Sequence, residues 1–142
     1  MFTGTYYNSI DNKNRMIVPS KCREQLGTRC VLTKAMDNCL DIYSMENWQE
    51  KVDKLAKLPE SDPKVRAFIR HFCGNAVECE FDKQGRITIP AELKAYAAID
   101  KELVTIGAMS KIEVWGKEKW QEEHAEDQVN VSFAELLQGY DF

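Results

Sequence analysis

The chain lacks any run approaching the ~18 consecutive apolar residues of a membrane-spanning helix, and no basic segment followed by an apolar stretch opens it. A membrane span and a secretory leader are therefore not expected; a cytoplasmic protein is. Cysteine is odd in number and unsuitably spaced. The five are Cys22, Cys30, Cys39, Cys73 and Cys79, and no two stand in Cys-x-x-Cys spacing. That argues against a disulfide framework or a zinc ribbon. Histidine is limited to His71 and His124, and neither suggests catalysis; His124 lies in an acidic segment without an evident partner. Enzyme signatures are missing as well: there is no Gly-x-Ser-x-Gly, His-Glu-x-x-His, phosphate-binding loop or dinucleotide fingerprint. No catalytic residue, metal or cofactor is expected.

What is present is an ordinary globular composition. The 142 residues are 44% hydrophobic and 30% charged, which suits one domain or two small halves sharing a core. The net charge of -4 is unevenly placed. Residues 117–142 hold two basic and seven acidic side chains, whereas Asp11 to Arg23 holds Lys13, Arg15, Lys21 and Arg23 against one acidic residue. A basic patch at one end and an acidic tail at the other are hidden in the total, so bulk charge neither suggests nor excludes DNA. The acidic run Glu122-Glu123 with Glu126-Asp127 reads as a solvated face or tail.

The strongest signal is internal repetition. Ile10-Asp11-Asn12-Lys13-Asn14-Arg15-Met16-Ile17-Val18-Pro19 reappears 71 residues later as Phe81-Asp82-Lys83-Gln84-Gly85-Arg86-Ile87-Thr88-Ile89-Pro90. Leu40-Asp41-Ile42-Tyr43 matches Ile112-Glu113-Val114-Trp115 at an offset of 72, and the same offset pairs Glu46-Asn47-Trp48 with Glu118-Lys119-Trp120. The chain is a tandem duplication, with halves expected at 1–76 and 77–142 in one compact unit.

Each half reads as short strands followed by a helix. Phe2 to Ile10 is an expected strand. Arg15 to Val18 follows a turn at Asn12 to Asn14, with Met16 and Val18 on one face and Arg15 and Ile17 on the other. Asn14 and Gly85 hold matching turn positions, and both tolerate positive φ. Pro19 and Pro90 end the strands and start short helices, Ser20 to Leu26 and Ala91 to Ala97. Apolar strands follow at 30–33, 40–43, 103–106 and 112–115, with Ser44 and Gly116 as helix N-caps. A further helix begins at Asp62-Pro63 and stops at Gly74. Ser132-x-x-Glu135 resembles a capping box before a tail helix. The stripes around Trp48 and Trp120 suit core or subunit contacts.

The duplicated element is Asp-x-x-x-Arg on a turn between two strands, and two readings compete. In one, Asp11 and Asp82 accept backbone N–H bonds and the arginines pair with nearby carboxylates. In the other, Arg15 and Arg86 stand on a hairpin rim and offer planar forks to guanine edges or phosphates, with Lys13 and Lys83 adding charge. Two alternatives to a DNA reader stay open: a non-DNA-binding oligomeric scaffold, and a thiol or metal sensor using His71, Cys73 and Cys79.

At these residues the chain resembles the MraZ transcriptional regulators of bacteria. The resemblance spans about residues 1–140 and rests on Phe2-x-Gly4, both Asp-x-x-x-Arg turns and Cys39-Leu40-x-x-Tyr43 followed by Trp48. It continues through the Arg70 helix, Gln84-Gly85-Arg86 and Glu113-x-Trp115. It implies an α+β, mostly β fold: two AbrB-like swapped-hairpin halves closed into one small β-barrel with flanking helices. It also implies an octameric or dodecameric ring, with double-stranded DNA as the partner. The binding sites would be direct repeats upstream of the protein's own cluster of division and cell-wall genes, at the nucleoid. By position, the DNA-contacting arginines fall on Arg15 and Arg86, with Lys13, Asn14, Lys83 and Gln84 on the same turns. Asp11, Asp82 and Gly85 would support the turns. One departure is Asn14, where the family often has glycine; asparagine suits the same left-handed geometry.

Overall fold

A computed structural model describes residues 1–124 and 133–142. The first half runs β1 (Thr5–Ser9), β2 (Arg15–Ile17), α1 (Ser20–Leu26), β3 (Arg29–Lys34), β4 (Leu40–Ser44), α2 (Met45–Leu55) and α3 (Pro63–Phe72). The second runs β5 (Val77–Glu80), β6 (Arg86–Thr88), α4 (Ala91–Tyr96), β7 (Glu102–Gly107), β8 (Ile112–Gly116) and α5 (Lys117–Glu123). A short α6 (Phe133–Leu136) and a 3₁₀ turn (Leu137–Gly139) close the chain. The strand expected over Phe2 to Ile10 is shorter than its apolar pattern, because Gly4 takes φ 93 and bends the chain. Phe2 and Ile10 remain as isolated bridges to Met109 and Met16. Of the expected capping box, Ser132 lies outside the described residues, as do Glu126 and Asp127 of the acidic run.

The halves exchange strands. The larger sheet has the order β1-β7-β8-β4-β3-β5, and a second, two-stranded sheet pairs β2 with β6. Thus β1 of the first half lies on β7 of the second, and β5 of the second lies on β3 of the first. All these pairings are antiparallel. The registers obey the repeat. In the small ribbon Met16 faces Ile87, each the other's counterpart, and in the large sheet Asp41 faces Glu113, also counterparts. An approximate two-fold axis therefore passes between these two pairs. This is a swapped-hairpin fold with both copies in one chain.

Alternation explains why the ribbon seals the core. Met16, Val18, Ile87 and Ile89 are fully buried and pack with Cys30, Leu32, Leu40, Ile42, Leu103 and Ile112, while Ile17 on the opposite face is exposed. Burying side chains of this size stabilises by roughly 1.5–3 kcal/mol each. The Ser44 hydroxyl caps α2 by accepting the Asn47 N–H at 3.0 Å. Asp62 caps α3, with Pro63 at its first position. Trp48, Phe68 and Phe72 cluster on Tyr43, which fixes both helices against β4. Among the described residues no helix is long and apolar enough to cross a membrane.

Candidate nucleic-acid interface

Both Asp-x-x-x-Arg turns are built alike. Asp11 Oδ1 accepts the backbone N–H of Lys13 and of Arg15, each at 2.9 Å, and Oδ2 accepts Arg15 Nε at 2.8 Å. Asp82 Oδ1 accepts the N–H of Gln84 at 2.9 Å and of Arg86 at 2.8 Å, and Oδ2 accepts Arg86 Nε at 2.7 Å. The backbone closes each turn through Asn14 N–H to Asp11 C=O and Gly85 N–H to Asp82 C=O, both 3.0 Å. Asn14 and Gly85 take φ of 60° and 76°, the left-handed values expected of them. The first reading of the motif is realised in these bonds. Each carboxylate grips its arginine by Nε and fixes the plane of the guanidinium. Bonds from the arginine backbone N–H groups above all hold the Asp11 and Asp82 carboxyls below their ordinary pKa.

The strand exchange brings the two turns together. Arg86 lies opposite Ile17 and Arg15 opposite Thr88, so the two arginines are diagonal neighbours on one ribbon face. Arg86 Nη1 comes within 3.6 Å of Asp11 Oδ2. The arginine side chains keep 30% and 22% of their surface exposed. Lys13, Lys83 and Gln84 are exposed on the turns, Asn14 is half-buried and Gly85 is buried. The nine residues expected at the site all lie on these two turns. The arrangement is a rim rather than a pocket. Cavities of about 350 and 270 Å³ are lined elsewhere, by residues such as Asp100 and Lys117, or Tyr43 and Phe68.

Two cations join the turns that sequence reasoning did not place there. Arg23, on α1, donates Nε to the Val18 carbonyl at 3.0 Å, and its guanidinium lies against Gly85 of the opposite half. Lys94, on α4, donates Nζ to Asn14 Oδ1 at 3.1 Å. Arg23 and Lys94 are counterparts at the 71-residue offset, as are Asn14 and Gly85. The backbone repeats the crossing: Val18 N–H donates to Gly85 C=O at 3.1 Å and Ile89 N–H to Asn14 C=O at 2.7 Å. The signal available in the sequence was the repeat offset applied to α1 and α4.

The cysteine and histidine alternative finds no gathered site. Cys79 lies opposite Cys30 across the β3–β5 pairing, and His71 Nε2 lies 3.0 Å from the Ala35 carbonyl. Among the described residues the group close enough to hold an ion is instead Cys39, Asp41 and Glu113, within 4.8 Å of one another. The Lys111 ammonium already sits there, 3.1 Å from both Asp41 oxygens and 3.5 Å from Glu113. Burial above all, with nearby negative charge, keeps the Cys39 thiol protonated. His124, without an evident partner in the sequence, stacks on Trp120 with ring centroids 3.6 Å apart.

A family model described as "MraZ protein, putative antitoxin-like" matches twice, at residues 1–71 and 72–138. A protein of Alkaliphilus metalliredigens named "Transcriptional regulator MraZ" is 47% identical over 136 residues, 96% of this chain and 94% of that one. Proteins of the same name from Thermoanaerobacter sp. (strain X514) and Clostridium tetani are 47% and 51% identical. They cover 99% and 86% of this chain, and 97% and 86% of their own lengths.

Proposed function

The chain belongs to the MraZ family, and from that premise we propose that it is a DNA-binding transcriptional regulator rather than an enzyme. It reads duplex DNA with Arg15 and Arg86, assisted by Lys13, Asn14, Lys83 and Gln84, and represses its own upstream region. The observation that carries this reading is the pair of carboxylate-held guanidiniums, one from each half, side by side on the β2–β6 ribbon. Held through Nε, Arg15 keeps both terminal nitrogens for a bidentate contact to guanine O6 and N7, worth roughly 1–3 kcal/mol of discrimination, while Arg86 Nη1 also faces Asp11 at 3.6 Å. Asp11, Asp82 and Gly85 hold the turns and do not touch DNA.

One copy offers only a few cations at the ribbon and has a net charge of -4, so a single contact is weak and salt-sensitive. Assembly into an octameric or dodecameric ring repeats the ribbon at intervals, and direct repeats in the DNA convert weak contacts into avidity. The regulated genes are its own division and cell-wall cluster, as the family resemblance implies, and the protein acts in the cytoplasm at the nucleoid.

Fluorescence anisotropy with the gene's own upstream duplex against a shuffled one tests the reading. Arg15→Ala and Arg86→Ala are each expected to weaken upstream binding by about 5- to 150-fold. Equal binding of the two duplexes, or of neither, overturns the assignment and leaves the ring as a scaffold.

A further inference from the structure

We infer that Arg23 and Lys94 are further DNA-contacting residues, phosphate anchors that each half delivers to the turn of the other. The inference rests on the DNA reading proposed above and adds a second pair of cations to the rim. Neither residue belongs to the duplicated Asp-x-x-x-Arg motif, and each comes from the helix that follows the ribbon strand of its own half.

Three observations carry it. First, the two are equivalent under the repeat and make equivalent crossings, Arg23 against Gly85 and Lys94 to Asn14. Second, each turn is fitted to its cation. A Cβ at position 85 collides with the Arg23 guanidinium, so the residue without a side chain stands where the bulky cation lies. The slender lysine faces the one turn that has a side chain for its ammonium to hold. Third, both cations keep donors to spare. Arg23 uses Nε on the Val18 carbonyl, and Lys94 uses one of its three N–H groups on Asn14 Oδ1. Neither forms an ion pair with a carboxylate among the described residues, whereas Arg15 and Arg86 both do. Two half-exposed cations without carboxylate partners, set against the two turns that carry Arg15 and Arg86, suit a polyanion crossing the ribbon. The division of labour follows: Arg15 and Arg86 are oriented for base edges, while Arg23 and Lys94 supply unneutralised charge to the flanking phosphates.

The test is the salt dependence of DNA binding by the full chain between 50 and 200 mM salt (on the order used for such titrations), with the upstream and shuffled duplexes. Arg23→Gln and Lys94→Gln are compared with the charge-preserving Arg23→Lys and Lys94→Arg, and thermal unfolding checks that each variant is folded. Each glutamine variant is expected to weaken both duplexes alike and to lower the slope of log K against log salt by about 0.9 per contact. The loss of affinity across that range then shrinks by about threefold. The charge-preserving variants should keep the parent slope.

Parent-like slopes in both glutamine variants overturn the inference. So does an equal loss in the charge-preserving variants, which marks a packing role instead. If Arg23→Gln fails to fold, Lys94→Gln decides. Failure of the broader reading looks different, because the parent itself then binds neither duplex or both equally.

Discussion

Arg86 reaches past its own turn to Asp11: its Nη1 lies 3.6 Å from the Oδ2 that also takes Arg15 Nε at 2.8 Å. Asp11 therefore orients both arginines, while Asp82 pairs with Arg86 alone among the described residues. Exposed pairs of this kind contribute little to stability, so their effect lies in aiming the guanidiniums. Asp11→Asn is expected to reduce the preference for upstream over shuffled DNA more than Asp82→Asn does. Both variants should unfold within a few degrees of the parent. The ratio of the two affinities, measured side by side, decides; equal effects contradict the shared role.

At the far end of the two-fold axis one charge is buried and two are half-buried. Asp41 and Glu113 face each other across β4 and β8, and Asp41 is 2% exposed. Burial foremost raises the Asp41 pKa. Burial also works against the Lys111 ammonium, but the Asp41 charge and hydrogen bond outweigh it and raise its pKa. Lys111→Met leaves two facing carboxylates without a cation and is expected to cost about 3 kcal/mol, roughly 10 °C in Tm. The pH dependence has a definite sign. A carboxyl whose folded pKa is raised opposes folding when charged, and that opposition fades as pH falls through the folded pKa. The deficit of Lys111→Met should therefore narrow as pH falls from neutral through the raised Asp41 pKa, as calorimetry of both proteins will show. Asp11 and Asp82 behave oppositely. Their lowered pKa contributes stability that is present above the unfolded value of 3.8 and lost only as pH falls through the folded values.

Much of this was legible in the residues. The repeat offset, the alternation of Met16 and Val18 with Arg15 and Ile17, and the turn positions Asn14 and Gly85 are local patterns. The structure realises each of them. What was not legible depends on contacts between distant parts of the chain. Lys94 meets Asn14 across 80 residues, and nothing near either residue announces it. Asp41 and Glu113 match as copies in the repeat, yet that they face each other follows only once the halves are folded about a common axis. Cys79 sits near His71 in sequence but opposite Cys30 in the sheet, because β5 leaves its own half to pair with β3.

The two turn residues predict unequal tolerance. Gly85 at φ 76° has the Arg23 guanidinium where a Cβ would go. Gly85→Ala combines left-handed strain of about 1–2 kcal/mol with displacement of Arg23, and is expected to lower Tm by about 3–6 °C. Asn14→Gly keeps φ 60° accessible and loses only the half-exposed bond to Lys94, so its Tm should stay within about 2 °C. Thermal unfolding of the pair checks the ordering; a Gly85→Ala protein as stable as Asn14→Gly contradicts it.

The strand exchange also predicts how the halves behave when separated. Residues 1–76 alone leave β1 without β7, β2 without β6 and β3 without β5, and so expose Met16 and Val18. No folded monomer is expected from either half. Self-pairing is the escape open to a repeat, but the axis decides which pairings succeed. A homodimer of the first half sets Asp41 against Asp41 with Cys39 at both lysine positions, so two buried carboxylates meet without a cation. A homodimer of the second half sets Glu113 against Glu113 with two copies of Lys111. The mixed pair restores the observed arrangement of one lysine between two carboxylates. Mixing 1–76 with 77–142 should therefore give a 1:1 complex by light scattering, with 1–76 alone unfolded or aggregated at neutral pH. A folded monomer of 1–76 would show that the exchanged strands are dispensable and that the halves are independent domains.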